Sequence, residues 1–170
     1  MLDTMEKAEL TAAVTELLYR EADHLDRQEW GQWLELFTDD AVFWVPSWAD
    51  EQQTVDDPEQ ELNLMYIKGR HGLEARAFRF SSGDSYASLP LPKTSHVVGN
   101  VRITDRSAAG EVMASAKFLT LALDFRRGKR VIGGWSDYRL RQTPEGLRIA
   151  WKKVTLLEGA IDGAIDVYHL

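Results

Sequence analysis

The sequence predicts an α+β fold in which N-terminal helices pack on a strongly curved antiparallel sheet. Apolar residues near the N-terminus recur at helical steps of three, four and seven. The second half of the chain contains four long strand-like segments joined by short turns, which is typical of an antiparallel meander. Gly133-Gly134 interrupts the third segment and predicts a bulge or sharp bend there. A bent sheet wraps around helices, so we expect one cone-shaped domain over 1–170.

Two helices are predicted first. The apolar stripe of the first helix consists of Leu10, Val14, Leu17, Leu18 and Leu25. Asp26 lies three residues before Glu29, the spacing of a capping box, and this pair predicts a second helix that runs through Phe37. The polar residues 38–40 are expected to end it.

The middle of the chain alternates short elements with polar loops. We expect a strand over 41–45, stopped by Pro46, and an exposed acidic loop over 47–58. Residues 62–68 are ambiguous between strand and helix, but Tyr66 favours a strand. A helix over 73–80 and a loop over 81–92 follow.

The four long strands are expected over 94–104, 111–126, 129–142 and 147–157. Both faces of the second one are substantially apolar, which a sheet with one wet face would not require. One face is therefore predicted to pack on the helices and the other on a partner subunit.

Composition excludes several classes of function. The chain of 170 residues has no cysteine, so disulfides, thiolate zinc sites and cysteine-held iron–sulfur clusters are impossible within it. Its net charge of −7 disfavours binding to nucleic acid or to an anionic membrane. Neither a secretory signal nor an apolar run of the ~20 residues that a membrane span needs is visible, so a cytoplasmic location is expected.

Six residues, with Asp23 as a substitute for one of them, are candidates for a functional role, and each also has an ordinary structural explanation. His96, in a predicted strand, would act inside a cone as a general base oriented by Asp40 or Asp23, or would serve as a hydrogen-bonded structural histidine. The residues that suit a subunit interface are Trp48, Arg70, Arg76 and Arg79. Surface salt bridges within the chain would explain the three arginines equally well.

Several blocks of the sequence resemble a known family. The helical pattern of 17–41 and the late strands resemble the NTF2-like cone fold. Leu64-Met-Tyr-Ile-Lys-Gly-Arg70, Leu73-Glu-Ala-Arg-Ala-Phe-Arg79 and Thr94-Ser-His-Val-Val-Gly-Asn-Val101 resemble the beta (small) subunit of bacterial aromatic-ring-hydroxylating dioxygenases. The closing residues 166–170 are similar to the end of that subunit.

The resemblance implies a structural, non-catalytic subunit. Its partner would be an alpha (large) subunit that carries a Rieske [2Fe–2S] cluster and a mononuclear Fe(II), commonly assembled as α3β3. Electrons would arrive from a reductase, sometimes through a ferredoxin, and dioxygen would be placed on an aromatic ring. The middle blocks are nearest to the branch that oxidises aromatic acids. The alternative is a stand-alone NTF2-like dehydratase or isomerase in which His96 is the general base.

Overall fold

The computed structural model describes residues 4–82, 90–107, 109–159 and 163–170, so residues 83–89 of the predicted loop 81–92 lie outside it. The described residues form three α-helices and six strands, followed by a short 3-10 turn near the C-terminus. In chain order these elements are α1 (Thr4–Asp26), α2 (Trp30–Glu35), β1 (Phe37–Pro46), β2 (Asn63–Lys68), α3 (Arg70–Ser81), β3 (Lys93–Arg106), β4 (Val112–Asp124), β5 (Gly128–Thr143), β6 (Gly146–Leu156) and the turn Val167–His169.

The strands form one mixed sheet in the order β2-β1-β6-β5-β4-β3. The predicted meander is present as β3 to β6, each antiparallel to its neighbour. β1 lies on the other side of β6 from β5 and is parallel to β6. The predicted α+β architecture is thus confirmed, with a sheet that is mixed rather than wholly antiparallel.

The helices cover one face of the sheet. Val14, Leu17, Leu18 and Leu25 of α1 are buried, as the apolar stripe predicts. The ring of Trp33 in α2 meets that of Phe37 at 5.1 Å between centroids, edge to face. The core therefore lies between the helices and the inner face of the sheet.

The predicted capping box at Asp26 is wrong. Asp26 is the last residue of α1, and Glu29 precedes α2 without a side-chain cap bond. The Glu29 carboxylate instead lies 2.7 Å from His24 Nδ1. The second helix also ends earlier than predicted, because Phe37 pairs with Ile149 as the first residue of β1.

Gly134 serves close packing rather than a bulge. The β4–β5 register runs through Gly133 and Gly134 without a shift. A Cβ atom at Gly134 would overlap the carbonyl oxygen of Thr155 on β6. Glycine is therefore required here because two backbones approach each other closely.

Candidate functional site

His96 of β3 lies in the interior of the cone, beside Asp26 at the end of α1. The His96 side chain is 2% exposed, and its Nδ1 lies 2.6 Å from Asp26 Oδ1. The His96 main-chain N–H and the Thr94 hydroxyl also donate to the Asp26 carboxylate, at 2.9 and 2.8 Å. These three donors tie the C-terminal end of α1 to β3.

The Asp26 carboxylate stays ionised in this environment. Burial raises its pKa, but the hydrogen bonds and charge of His96, together with Thr94, outweigh burial and leave the pKa below its ordinary value. The ionised Asp26 carboxylate accepts a hydrogen bond from the Nδ1–H group of His96 and thereby fixes the orientation of the imidazole.

Neither carboxylate expected to orient His96 does so. Asp40 is exposed on β1 and accepts two hydrogen bonds from Arg141 Nη1, at 2.9 and 3.1 Å. Asp23 is exposed and pairs with Arg27 at 2.9 Å. Asp26 is the orienting group, and sequence reasoning missed it because the residue also suits a helix cap.

The space around His96 is filled by side chains. The cavity beside His96 has a volume of about 10 Å³ and is lined by side chains that include Leu18, Leu25, Phe118 and Ser136. A cavity of this size holds at most one water molecule. It leaves no room for an organic substrate at the free nitrogen of His96.

A buried ion pair occupies the neighbouring part of the core. Lys152 Nζ lies 2.8 Å from Glu21 Oε1 and 3.2 Å from the main-chain oxygen of Leu170, and both charged side chains are almost fully buried. Burial and the charge of Glu21 raise the pKa of Tyr138, whose hydroxyl is 3.5 Å from Glu21 Oε2. The sequence signal for this pair is weak: a single lysine among the buried, inward-facing residues of β6.

The outer face of β3, β4 and β5 is apolar and exposed. Val97 pairs with Leu119, and Leu121 pairs with Val131, so large side chains lie next to each other across three strands. We call this surface the outer apolar patch; its members, 45–63% exposed, are Val97, Leu119, Leu121, Leu123, Phe125 and Val131.

Aromatic rings and cations lie together on the rest of the sheet's outer face, on β1 and β6 and at one pair on β4 and β5. Lys153 Nζ lies 4.4 Å from the ring centroid of Trp44, and Lys117 Nζ lies 4.8 Å from that of Trp135. Trp44 also packs on Trp151, with 6.3 Å between centroids. These tryptophans therefore pack on the outer surface of the sheet.

The predicted interface residues make contacts within the chain. The Trp48 indole donates to the Leu156 carbonyl at 2.9 Å. Arg76 pairs with Asp166 at 2.9 Å, and Arg70 pairs with Glu74 at 3.2 Å. Arg79 is exposed on α3. Their role at an interface stays a prediction.

The part of the chain that the structure describes contains neither a cluster of metal ligands nor a membrane-spanning helix. Among residues 4–82, 90–107, 109–159 and 163–170, no group of three or more His, Asp or Glu side chains comes together as metal ligands. No helix within those ranges is both long and apolar enough to cross a membrane.

The family model for the ring hydroxylating beta subunit matches residues 20–162. The chain belongs to this family, as the resemblance of its middle blocks predicted. The finding confirms the small subunit of an aromatic-ring-hydroxylating dioxygenase and gives no support to a stand-alone lyase.

Individual relatives agree over the whole chain. The small subunit of 2-halobenzoate 1,2-dioxygenase from Burkholderia cepacia is 39% identical over 160 residues, 92% of this chain and 94% of the relative. The beta subunit of toluate 1,2-dioxygenase from Pseudomonas putida is 35% identical, over 93% of this chain and 96% of the relative. The crystal structure of the benzoate 1,2-dioxygenase beta subunit from Burkholderia mallei superposes with a TM-score of 0.76 at 30% identity, covering 100% of this chain and 99% of that one.

Proposed function

We propose that this chain is the scaffold of an oxygenase for aromatic carboxylic acids and that its outer apolar patch is covered by the large subunit. The observation that carries the proposal is the contrast between the two sheet faces. On the inner face the cavity beside His96 is only about 10 Å³, whereas the outer face exposes an apolar surface over three strands. Exposed apolar surfaces of this kind are typical of interfaces.

The redox chemistry belongs to the large subunit in this proposal. A Rieske cluster requires two cysteines and two histidines, and this chain has no cysteine to contribute. We propose that the Rieske cluster and the mononuclear Fe(II) lie in the alpha chain of an α3β3 complex, with electrons supplied by a reductase directly or through a ferredoxin. The contribution of the small subunit is to hold the large subunits in place, within the cytoplasm.

The proposed substrate class follows from the relatives. The 2-halobenzoate, toluate and benzoate dioxygenases are all named for aromatic rings that carry a carboxylate. The filled interior of this chain supports a substrate site elsewhere in the complex.

We also propose that α3 contacts the large subunit. Phe78 is 67% exposed there, next to the exposed Arg79. Arginine suits carboxylates of a partner through its planar fork of donors. Arg70 and Arg76 already have acidic partners within the chain, so Arg79 is the stronger of the three candidates.

Replacing Leu121 by Asp tests the proposed interface. The charge would enter the middle of the outer apolar patch and disfavour burial against the large subunit. We expect the variant to fold but to lose at least ten-fold in affinity for the large subunit of the same oxygenase, measured by co-purification and light scattering. The matched control is Leu62→Asp, since Leu62 is 85% exposed and lies outside the patch. Equal assembly of both variants would contradict the proposed interface.

A further inference from the structure

Three cations on the outer face of the sheet are each held over a tryptophan ring. Their charged groups lie between 4.4 and 5.2 Å from the ring centroids. We call these cations the cationic cluster; in the order β4, β5 and β6, its members are Lys117, Arg139 and Lys153. A cation over a ring face is fixed in place, but it keeps most of its N–H donors for other acceptors. The cationic cluster is therefore preorganised to bind an anionic group.

The cationic cluster has no ion-pair partner within the described parts of the chain. Other cations on the same face of the sheet do have partners: Lys68 pairs with Glu59, and Arg141 pairs with Asp40 and Glu111. No ion pair joins a member of the cationic cluster to an Asp or Glu side chain of the described residues. Their positive charge stands out on a chain whose net charge is −7.

Asp137 lies at the centre of the cationic cluster but does not neutralise it. It is directly opposite Lys153 on β6, two residues from Arg139 on β5 and diagonal to Lys117 on β4. Burial raises the pKa of Asp137 and outweighs the charges of Lys153 and Lys117, which lower it. One half-buried carboxylate is thus shared among three cations, so this part of the surface keeps a net positive charge.

The cationic cluster adjoins the outer apolar patch. Lys117 and Leu119 are two residues apart on β4, so their side chains lie next to each other on the same face of the sheet. Leu119 in turn pairs with Val97, another member of the patch. A partner that covers the patch therefore reaches the cationic cluster across one continuous face.

We propose that an acidic segment of the large subunit places its carboxylates on the cationic cluster, beside the apolar side chains that cover the patch. Arg139 suits a carboxylate through its planar fork of donors, and Lys117 and Lys153 act as point charges on the strands to either side. A uniform polyanion is a poorer occupant, because the net charge of −7 repels it. This inference rests on the proposed function, which supplies the partner.

The affinity for the large subunit of the same oxygenase, measured by surface plasmon resonance, tests the cationic cluster. We expect the double variant Arg139→Gln, Lys153→Gln to lose about ten-fold in affinity at about 50 mM salt. The difference from the wild type should shrink at about 500 mM, because salt screens the attraction between the charges. Lys7→Gln, at an exposed position of α1, is the matched control and should bind like the wild type.

Replacing Asp137 by Asn distinguishes an acidic segment from other occupants. The variant makes the cationic cluster more positive, so affinity for the large subunit should rise at least about two-fold at low salt. Unchanged or weaker affinity would mean that the large subunit presents no carboxylates here, and the inference would be overturned.

Leu121→Asp is measured beside these variants to separate the two proposals. If it blocks assembly while the double variant binds like the wild type at low salt, the proposed interface stands and this inference fails. If Leu121→Asp assembles normally, the proposed interface fails, and the inference that rests on it fails too. Wild-type affinity that is the same at about 50 and about 500 mM salt would overturn the inference without any variant.

Discussion

Single residues in the core show how a charged pair is tolerated without solvent. Lys152 is held by Glu21 and the Leu170 main-chain oxygen, and its ammonium lies 5.2 Å from the ring centroid of Phe43. The ion pair thus recovers part of the desolvation cost that burial imposes. The pair fixes the relative positions of α1, β6 and the C-terminus, because either charge buried alone would be strongly unfavourable.

Replacing Lys152 by Met should therefore destabilise the chain by about 3–5 kcal/mol, because Glu21 is left buried without its partner. The double variant Lys152→Met, Glu21→Leu should lose less than the sum of the two single variants, by at least about 1 kcal/mol. Urea unfolding measures all three. The control, Arg27→Met, breaks the exposed pair with Asp23 and should cost less than about 1 kcal/mol. Additive losses would show that the pair is not coupled.

His169 makes stability depend on pH. Burial lowers its pKa to about 4, with Arg130 and His96 acting in the same direction and Asp124 and the Asp166 backbone opposing. The unfolded chain, with an ordinary histidine pKa near 6.5, binds the proton more readily between these values. The contribution of neutral His169 to the free energy of unfolding is therefore fully present above pH ~6.5 and is lost as the pH falls toward ~4.

The expected loss attributable to His169 is about 3 kcal/mol over that interval. Unfolding free energies at pH 7, 6, 5 and 4 measure it, and His169→Gln should flatten this part of the profile. His71→Gln, at an exposed position, should leave the slope unchanged. A profile for His169→Gln that parallels the wild type would contradict the assignment.

At the scale of elements, strand β5 depends on one glycine. Gly134→Ala places a methyl group against the Thr155 backbone, which has no flexible side chain to move aside. We expect a loss of at least about 2 kcal/mol in the free energy of unfolding. Gly99→Ala on β3 is the matched control, because a Cβ atom there meets nothing within 4 Å, and its effect should stay within about 0.5 kcal/mol. Similar losses in both variants would refute the close-approach argument.

Elements with local signals were predictable from the sequence. Alternating apolar residues and short turns located β3 to β6, and the apolar stripe located α1. Asp26 could not be assigned in this way, because its partner His96 lies 70 positions later and only the folded chain brings them together. The Glu21–Lys152 pair, separated by 131 positions, was invisible for the same reason.

At the scale of the whole molecule, the two faces of the sheet have different roles. Helices and the C-terminal turn pack on the inner face and leave about 10 Å³ beside His96. The outer apolar patch has no cover from the described parts of this chain. The sequence predicted this division from the two apolar faces of β4, although it could not show how completely the interior would be filled.

Assembly and turnover together test the central claim most directly. Light scattering and dioxygenation of benzoate, in the presence of reductase and NADH, are measured for the purified chain, for the large subunit of the same oxygenase and for their mixture. We expect a stable hetero-oligomer in the mixture and turnover that requires the large subunit. A chain that remains alone in the mixture, or that converts an aromatic substrate unaided, would contradict its role as a scaffold.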